Sequence, residues 1–465
     1  MFLGRKQELN RLNRLYQTKK FQLFILYGRR RVGKTALIRE FCQDKPHIFF
    51  AAELGNDNAN LKKFSAQVLA HYHESAYTDF SSWEKAVLFI NERQGDAPLV
   101  LVLDEFPYLA ESNRGILSGL QHLIDHELQS SRLFLILCGS YVSFMEEEVL
   151  GGKSPLFGRR TAQLQLKPFD YLDSAAFLPR FSPEEQCILY GVLGGIPQYL
   201  RGIDNQKNLE SNLQDLFLTP MGFLYNEPLL LLREEIQQPG VYNAILAAIA
   251  GGASKANEIA GKTGEPVAKC LKYMQTLISL GIIKKETPWG EKESSRRTIY
   301  RLQDLLFRFW YRYIMGGSVL IESEAGHILW QKKIAPDISH YMGAVFEQIC
   351  GEYLLRQNSL GSLPFLFTSL GRWWGANPRT KEQVEIDLVA ADHNHYLVGE
   401  CKWRHEKTGL KVLSALKEKA LAAVGQGADC RYILFSQSGF TPELKAEADG
   451  DRLMLVDLGE IMKQV

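Results

Sequence analysis

Three apolar runs, residues 21–27 (interrupted only by Gln22), 99–103 and 133–137, stand out in the first third of the chain. Each is the length of a strand and lacks polar alternation, the pattern of strands buried on both faces of a parallel sheet. The first run leads into residues 36–41, ALIREF, which read as a helix. From 168 to 233 the spacing turns helical, broken at Gly194-Gly195-Ile196-Pro197, where two glycines and a proline should end one helix and redirect the chain. A new unit begins near Gly240, with helices predicted over 241–250, 254–262 and 266–280 and a hairpin formed by 281–286 and 298–302. Residues 304–313, DLLFRFWYRY, are too aromatic for an exposed helix, so Phe307, Trp310 and Tyr311 are expected to be buried between domains rather than to serve as a stacking platform for bases. The final third predicts a helix at 342–355 and a hairpin of 385–391 and 396–403.

Chemistry enters where the first run ends. Gly28, Gly33, Lys34 and Thr35 satisfy G-x-x-x-x-G-K-[ST]. Glycines let the amides of Gly28, Arg29, Arg30, Arg31, Val32, Gly33 and Ala36 curl around phosphates, Lys34 reaches the β and γ oxygens, and Thr35 takes a magnesium ion. The helix that follows turns its positive end toward the anion. At the end of the second run, Asp104 is placed to hold the metal through water and Glu105 to polarise the attacking water, which favours hydrolysis over passive binding. Ser140, after the third run, either senses the γ-phosphate or caps the next helix. Arg159 and Arg160 lie in a loop that reaches a phosphate in the same or a neighbouring subunit, or are simply solvated.

The segments Phe2-Leu3-Gly4-Arg5 with Glu8-Leu9, Gly28 to Thr35, Asp104-Glu105-Phe106, Cys138-Gly139-Ser140 and Pro155 to Arg159 together resemble the archaeal-type ATPases of the signal-transduction class, close to the AAA+ group. The resemblance implies that Arg5 lies near the adenine and that Arg159 contacts the phosphates. It also implies a helical lid beside the nucleotide domain. ATP and Mg2+ are the expected ligands.

At 465 residues, 46% hydrophobic and 23% charged, the chain has material for roughly three cores. Its net charge of +1 gives no overall pull toward nucleic acid, so any such contact has to come from a local patch. Seven scattered cysteines without a C-x-x-C pair argue for a reducing compartment and against structural zinc. With no signal-peptide profile and no apolar run long enough to span a bilayer, a cytoplasmic location without membrane contact is expected.

Two downstream segments suggest a nucleic-acid partner. The three helices and hairpin after Gly240 outline a winged helix-turn-helix, and Lys269, Lys272, Lys284, Lys285, Lys292, Arg296 and Arg297 would give it a basic, salt-sensitive face for duplex DNA. The alternative is a protein-protein spacer. In the last hairpin, Glu400 and Lys402 share one strand face, and cross-strand pairing can set Asp387 beside Glu400. Asp387 and Glu400 could then hold a magnesium ion, Lys402 could orient a water or stabilise developing charge, and Glu347 on the preceding helix is a further candidate. An exposed salt-bridge pair on an ordinary hairpin remains the plain alternative. Trp373, Trp374 and Trp403 are candidates to wall the site, and Cys401 points to the opposite face. These residues resemble the PD-(D/E)xK nuclease superfamily, and the whole tail is similar to the domain commonly fused to archaeal-type ATPases.

The predicted architecture is α/β: a P-loop NTPase domain with a parallel sheet (1–167), a helical lid (168–235), a winged helix-turn-helix (236–303), an aromatic-rich helical connector (304–337) and an α/β restriction-endonuclease-like domain (338–465). Its expected function is ATP hydrolysis coupled to DNA binding and to Mg-dependent phosphodiester cleavage. The alternative is a nucleotide-gated scaffold with an inactive nuclease-like domain that binds protein partners. A homo-oligomer would be required if an arginine is supplied in trans.

Overall fold

Strand β1 (Gln22–Tyr27), QLFILY, is buried along its whole length, as are β3 (Val100–Asp104) and β4 (Phe134–Gly139). With no face left for water, these strands can only occupy the middle of a sheet covered on both sides. In the computed structural model, which describes residues 2–74, 79–236, 238–377, 380–425 and 427–463, they do so. The sheet order is β2-β3-β4-β1-β5, all parallel, with β2 (His47–Ala51) and β5 (Ala162–Gln165) at the edges. Both edge strands are half-exposed and short; 162–165 carries no apolar run, whereas 48–52, IFFAA, does.

The chain divides into two compact units, one of residues 1–168 with 196–198, the other of 169–195 with 199–465. The segment expected as a lid therefore groups almost entirely with the second unit. The reason is a buried anchor. Glu352, on the helix Ala335–Leu360, accepts hydrogen bonds from the Tyr171 backbone N–H at 3.1 Å and from the Tyr190 hydroxyl at 2.7 Å. Phe307, Trp310 and Tyr311 are buried within this unit, with the Trp310 indole donating to the Tyr225 carbonyl and the Tyr311 hydroxyl to Asn243.

In the second unit, helices Pro239–Ala250, Ala256–Thr263 and Val267–Ser279 precede an antiparallel pair, β6 (Ile283–Glu286) and β7 (Ile299–Leu302). After the helix Ala335–Leu360 comes a five-stranded mixed sheet, in the order β12-β11-β10-β9-β8. Its strands are β8 (Ser369–Ala376), β9 (Gln383–Asp392), β10 (His395–Lys402), β11 (Asp429–Ser436) and β12 (Leu453–Asp457). Strands β8, β9 and β10 are antiparallel, and β11 and β12 continue in parallel after the crossover helix Leu410–Val424. Leu413, Leu416 and Ala420 turn the apolar stripe of that helix onto the sheet. No described helix is long and apolar enough to cross a membrane.

Candidate functional site

The loop between β1 and the helix Lys34–Cys42 is shaped by backbone that only certain residues tolerate. Gly28 has φ 146° and Gly33 φ 95°; a Cβ on Gly28 would stand 2.5 Å from the Leu166 carbonyl oxygen. The helix begins without a side-chain cap, which leaves its first amides for a ligand. Lys34 is buried, and its ammonium donates to the carbonyls of Gly28 at 2.8 Å and Arg29 at 3.0 Å, so it folds back over the loop. Arg31 takes a left-handed φ of 70°, Val32 is fully buried, and Arg30 donates to the Tyr108 hydroxyl. Ala36 is the third residue of the helix.

The sheet order places β4 between β1 and β3, so the residue after β4 stands between the loop and the carboxylates that end β3. Thr35 Oγ1 donates to Asp104 Oδ2 at 2.9 Å, Asp104 Oδ1 accepts from the Glu105 amide at 3.0 Å, and Ser140 Oγ donates to Glu105 Oε1 at 2.9 Å. The structure therefore joins Thr35, Asp104, Glu105 and Ser140 in one chain of contacts. Ser140 does not cap the next helix; Tyr141 flanks that helix and provides no side-chain cap. Arg5 donates to the backbone carbonyls of Val32 at 3.2 Å and Lys167 at 2.6 Å, bracing the loop. Arg159 is elsewhere: its guanidinium forms a two-pronged pair with Asp125, both contacts 2.7 Å, and also donates to Pro155 and Phe157 carbonyls. A hydroxyl and a carboxylate oxygen 2.9 Å apart beside a phosphate loop suit a hard divalent cation that keeps several waters.

The second cluster forms where β9 and β10 pair with Leu388 opposite Gly399, which sets Asp387 next to Glu400. Asp387 Oδ2 accepts from the Cys401 amide at 2.8 Å. Glu400 is buried and accepts from Lys402 at 2.7 Å and from Lys419, on the helix Leu410–Val424, at 3.1 and 3.0 Å. Burial and then the charge of Glu400 push the Asp387 carboxyl well above the usual range; burial and then Asp387 do the same to Glu347. For Lys402, burial opposes the charge but Glu400 outweighs it, so its ammonium is held above the ordinary lysine value. Arg372 on β8 lies 3.2 Å from Glu347. Trp373 and Trp403 are core residues, Trp403 packed edge-on against Phe346. Cys401 is buried.

Lys419 and Arg372 were invisible to motif reading. For Lys419 a faint signal exists: it lies beside Ala420 and three residues after Leu416, at the margin of the buried stripe rather than on the solvent face. Around Asp387 and Glu400 the polar contacts are already shared among neighbours. Both Glu400 oxygens face ammonium groups, one Asp387 oxygen is committed to backbone, and no group of three or more His, Cys, Asp or Glu among the described residues is placed to hold a metal.

A parallel sheet with a phosphate loop after its first strand and a carboxylate pair ending the strand two places away defines a P-loop ATPase-type domain. Comparison with known proteins agrees: residues 2–203 match the family described as an ATPase domain predominantly from Archaea, and 310–415 match that of Archaea bacterial proteins of unknown function. The uncharacterized protein MJECL04 of Methanocaldococcus jannaschii is 32% identical over 409 residues, 88% of each chain. The uncharacterized ATP-binding protein MJ0423 of the same organism is 56% identical over 45 residues, 10% of this chain and 76% of that protein. Among solved structures, the Walker-type ATPase paby2304 of Pyrococcus abyssi has the same fold, with a TM-score of 0.50 at 22% identity over 67% of this chain and 96% of that one. The chain belongs to the family of archaeal-type ATPases that carry a C-terminal domain of unknown function.

Proposed function

We propose that the first unit binds and hydrolyses ATP and that nucleotide state controls how the second unit engages DNA. The contact chain from Thr35 through Asp104 and Glu105 to Ser140 carries this reading, because it sets a metal-side pair and a water-side carboxylate around one phosphate loop. Thr35 and Asp104 would hold a magnesium ion, which when bound supplies charge neutralisation across the β and γ phosphates. Lys34 leaves the loop carbonyls for phosphate oxygens, Ser140 releases Glu105, and Glu105 then orients and polarises the attacking water. Arg159 joins the site only where its pair with Asp125 opens, within the subunit or toward a neighbouring one.

In the second unit, the three helices and the β6/β7 hairpin serve as a winged helix whose exposed Lys272, Lys285, Lys292 and Arg296 face a duplex. Of the other expected basic residues, Lys269, Lys284 and Arg297 are paired with Glu265, Glu286 and Glu291, so the face is narrower than the sequence suggests. Asp387, Glu400 and Lys402 form the nuclease-like site. The second reading, a nucleotide-gated scaffold whose tail does not cut, draws support from the two lysines that occupy Glu400. ATP turnover with and without duplex DNA tests the coupling, with Lys34→Ala as the silent control. Stimulation by DNA that disappears in Arg296→Ala supports it, and turnover indifferent to DNA contradicts it. Plasmid nicking that is lost in Lys402→Ala separates a cutting tail from the scaffold.

A further inference from the structure

The second unit encloses a cleft of about 630 Å³ between the helix Pro239–Ala250, β7, the helix Ala335–Leu360 and β8. A smaller hollow of about 320 Å³ shares Arg301, Arg308, Glu347 and Arg372 with it and reaches Asp387. Four arginines line the larger cleft. Three of them are answered: Arg372 lies 3.2 Å from Glu347 and 3.3 Å from Glu385, Arg312 2.7 Å from Asp337, and Arg301, more loosely, 3.7 Å from Glu286.

Arg308 differs. Half-buried in the wall of both hollows, its guanidinium makes no ion pair and no side-chain hydrogen bond among the described residues. Burial, and after it the neighbouring Arg301, oppose its charge, while Tyr341, Glu347 and Glu286 favour it without touching it; burial prevails. A guanidinium stays protonated at any physiological pH, so the fold keeps a half-buried cation with no direct ion pair facing an open hollow, where an arriving anion would meet donors not yet committed. Its planar fork matches two oxygens of a phosphate. A duplex, whose major groove alone is about 12 Å wide, is too broad to follow a hollow of this volume to its floor.

We propose that this cleft binds a single nucleic-acid strand, with Arg308 gripping one backbone phosphate while the strand runs on toward Asp387 and Lys402. The inference rests on the nucleic-acid reading of the second unit given above, and its experiment separates the two. Binding of a labelled oligothymidylate of about ten nucleotides to the full chain is followed by fluorescence anisotropy in EDTA, where cleavage plays no part. Arg308→Gln should weaken it about tenfold and flatten its salt dependence, the loss of one charge-assisted phosphate contact. Because the substitution removes a half-buried charge that no direct ion pair holds, the variant should melt at or above the wild type; a structural role predicts a lower melt. Arg308→Lys should recover part of the affinity.

Unchanged affinity in Arg308→Gln would overturn the proposal. So would a lowered melt with no recovery in Arg308→Lys, or displacement of the oligonucleotide by inorganic phosphate or thymidine monophosphate at equal concentration, which marks a small-anion pocket. Wild type that shifts duplex DNA but ignores the oligonucleotide sinks the cleft and leaves the winged-helix reading standing. Arg308-dependent strand binding without a duplex shift does the reverse.

Discussion

Glu352 ties the segment around Tyr171 and Tyr190 to the helix Ala335–Leu360, and the cost of its charge is readable as a pH dependence. Burial pushes its carboxyl from 4.5 to about 7, against the opposing pull of hydrogen bonds from Gln348, Tyr190 and the Tyr171 amide. A carboxyl whose folded value is raised gives its full stabilising contribution below the unfolded value, and that contribution is lost as pH rises through the folded one. The full difference corresponds to about 3 kcal/mol, of which about 2 falls between about pH 5.5 and about pH 8.5. Glu352→Gln keeps the shape and cannot ionise. Relative to wild type it should therefore gain about 2 kcal/mol across that interval, whatever constant offset the altered hydrogen bonds impose. Urea unfolding followed by tryptophan fluorescence reads the second unit, which holds six of the seven tryptophans. An offset between variant and wild type that is the same at both pH values would refute the reasoning.

Gly28→Ala should cost the first unit about 3 kcal/mol and abolish ATP binding, because the new Cβ meets the Leu166 carbonyl at 2.5 Å in a backbone region closed to alanine; circular dichroism melts and calorimetry check both. Glu105→Gln should lower ATP turnover by about a hundredfold or more while leaving ATP affinity near wild type, as expected for a group that acts on the water; a loss of affinity equal to the loss of rate would assign it to binding instead. Thr35→Ala should weaken ATP binding in magnesium and leave binding in EDTA nearly unchanged, measured by titration with a fluorescent ATP analogue. Lys419→Met should destabilise the second unit by about 2 kcal/mol in urea, since buried Glu400 loses one of two cations; no change would mean that Lys402 alone suffices.

The central strands and the phosphate loop were legible because their physics is local. A continuous apolar run is a buried strand almost by definition, and a glycine-rich turn followed by Lys34 and Thr35 has few other uses. The edge strand Ala162–Gln165 escaped notice because an edge needs only partial burial, so its composition is ordinary; His47–Ala51 was missed although 48–52, IFFAA, is an apolar run. The unit with which residues 169–195 group was hidden for a related reason. Helical periodicity marks which face is buried but not against what, and the partner, Glu352, lies far along the chain. In the tail, pairing register placed Asp387 beside Glu400 from sequence alone, whereas Lys419 arrives from the crossover helix and no spacing rule connects it to that strand. The same limit hid Arg308. Its lack of a direct ion pair is a property of the assembled cleft, invisible in DLLFRFWYRY.

Calorimetric titration of the purified full chain with ATP in magnesium, beside Lys34→Ala, tests the central claim most directly. The wild type should give saturable heat centred on one nucleotide per chain, and the variant should lose it. Absence of heat from the wild type, or equal heat from both proteins, would contradict it.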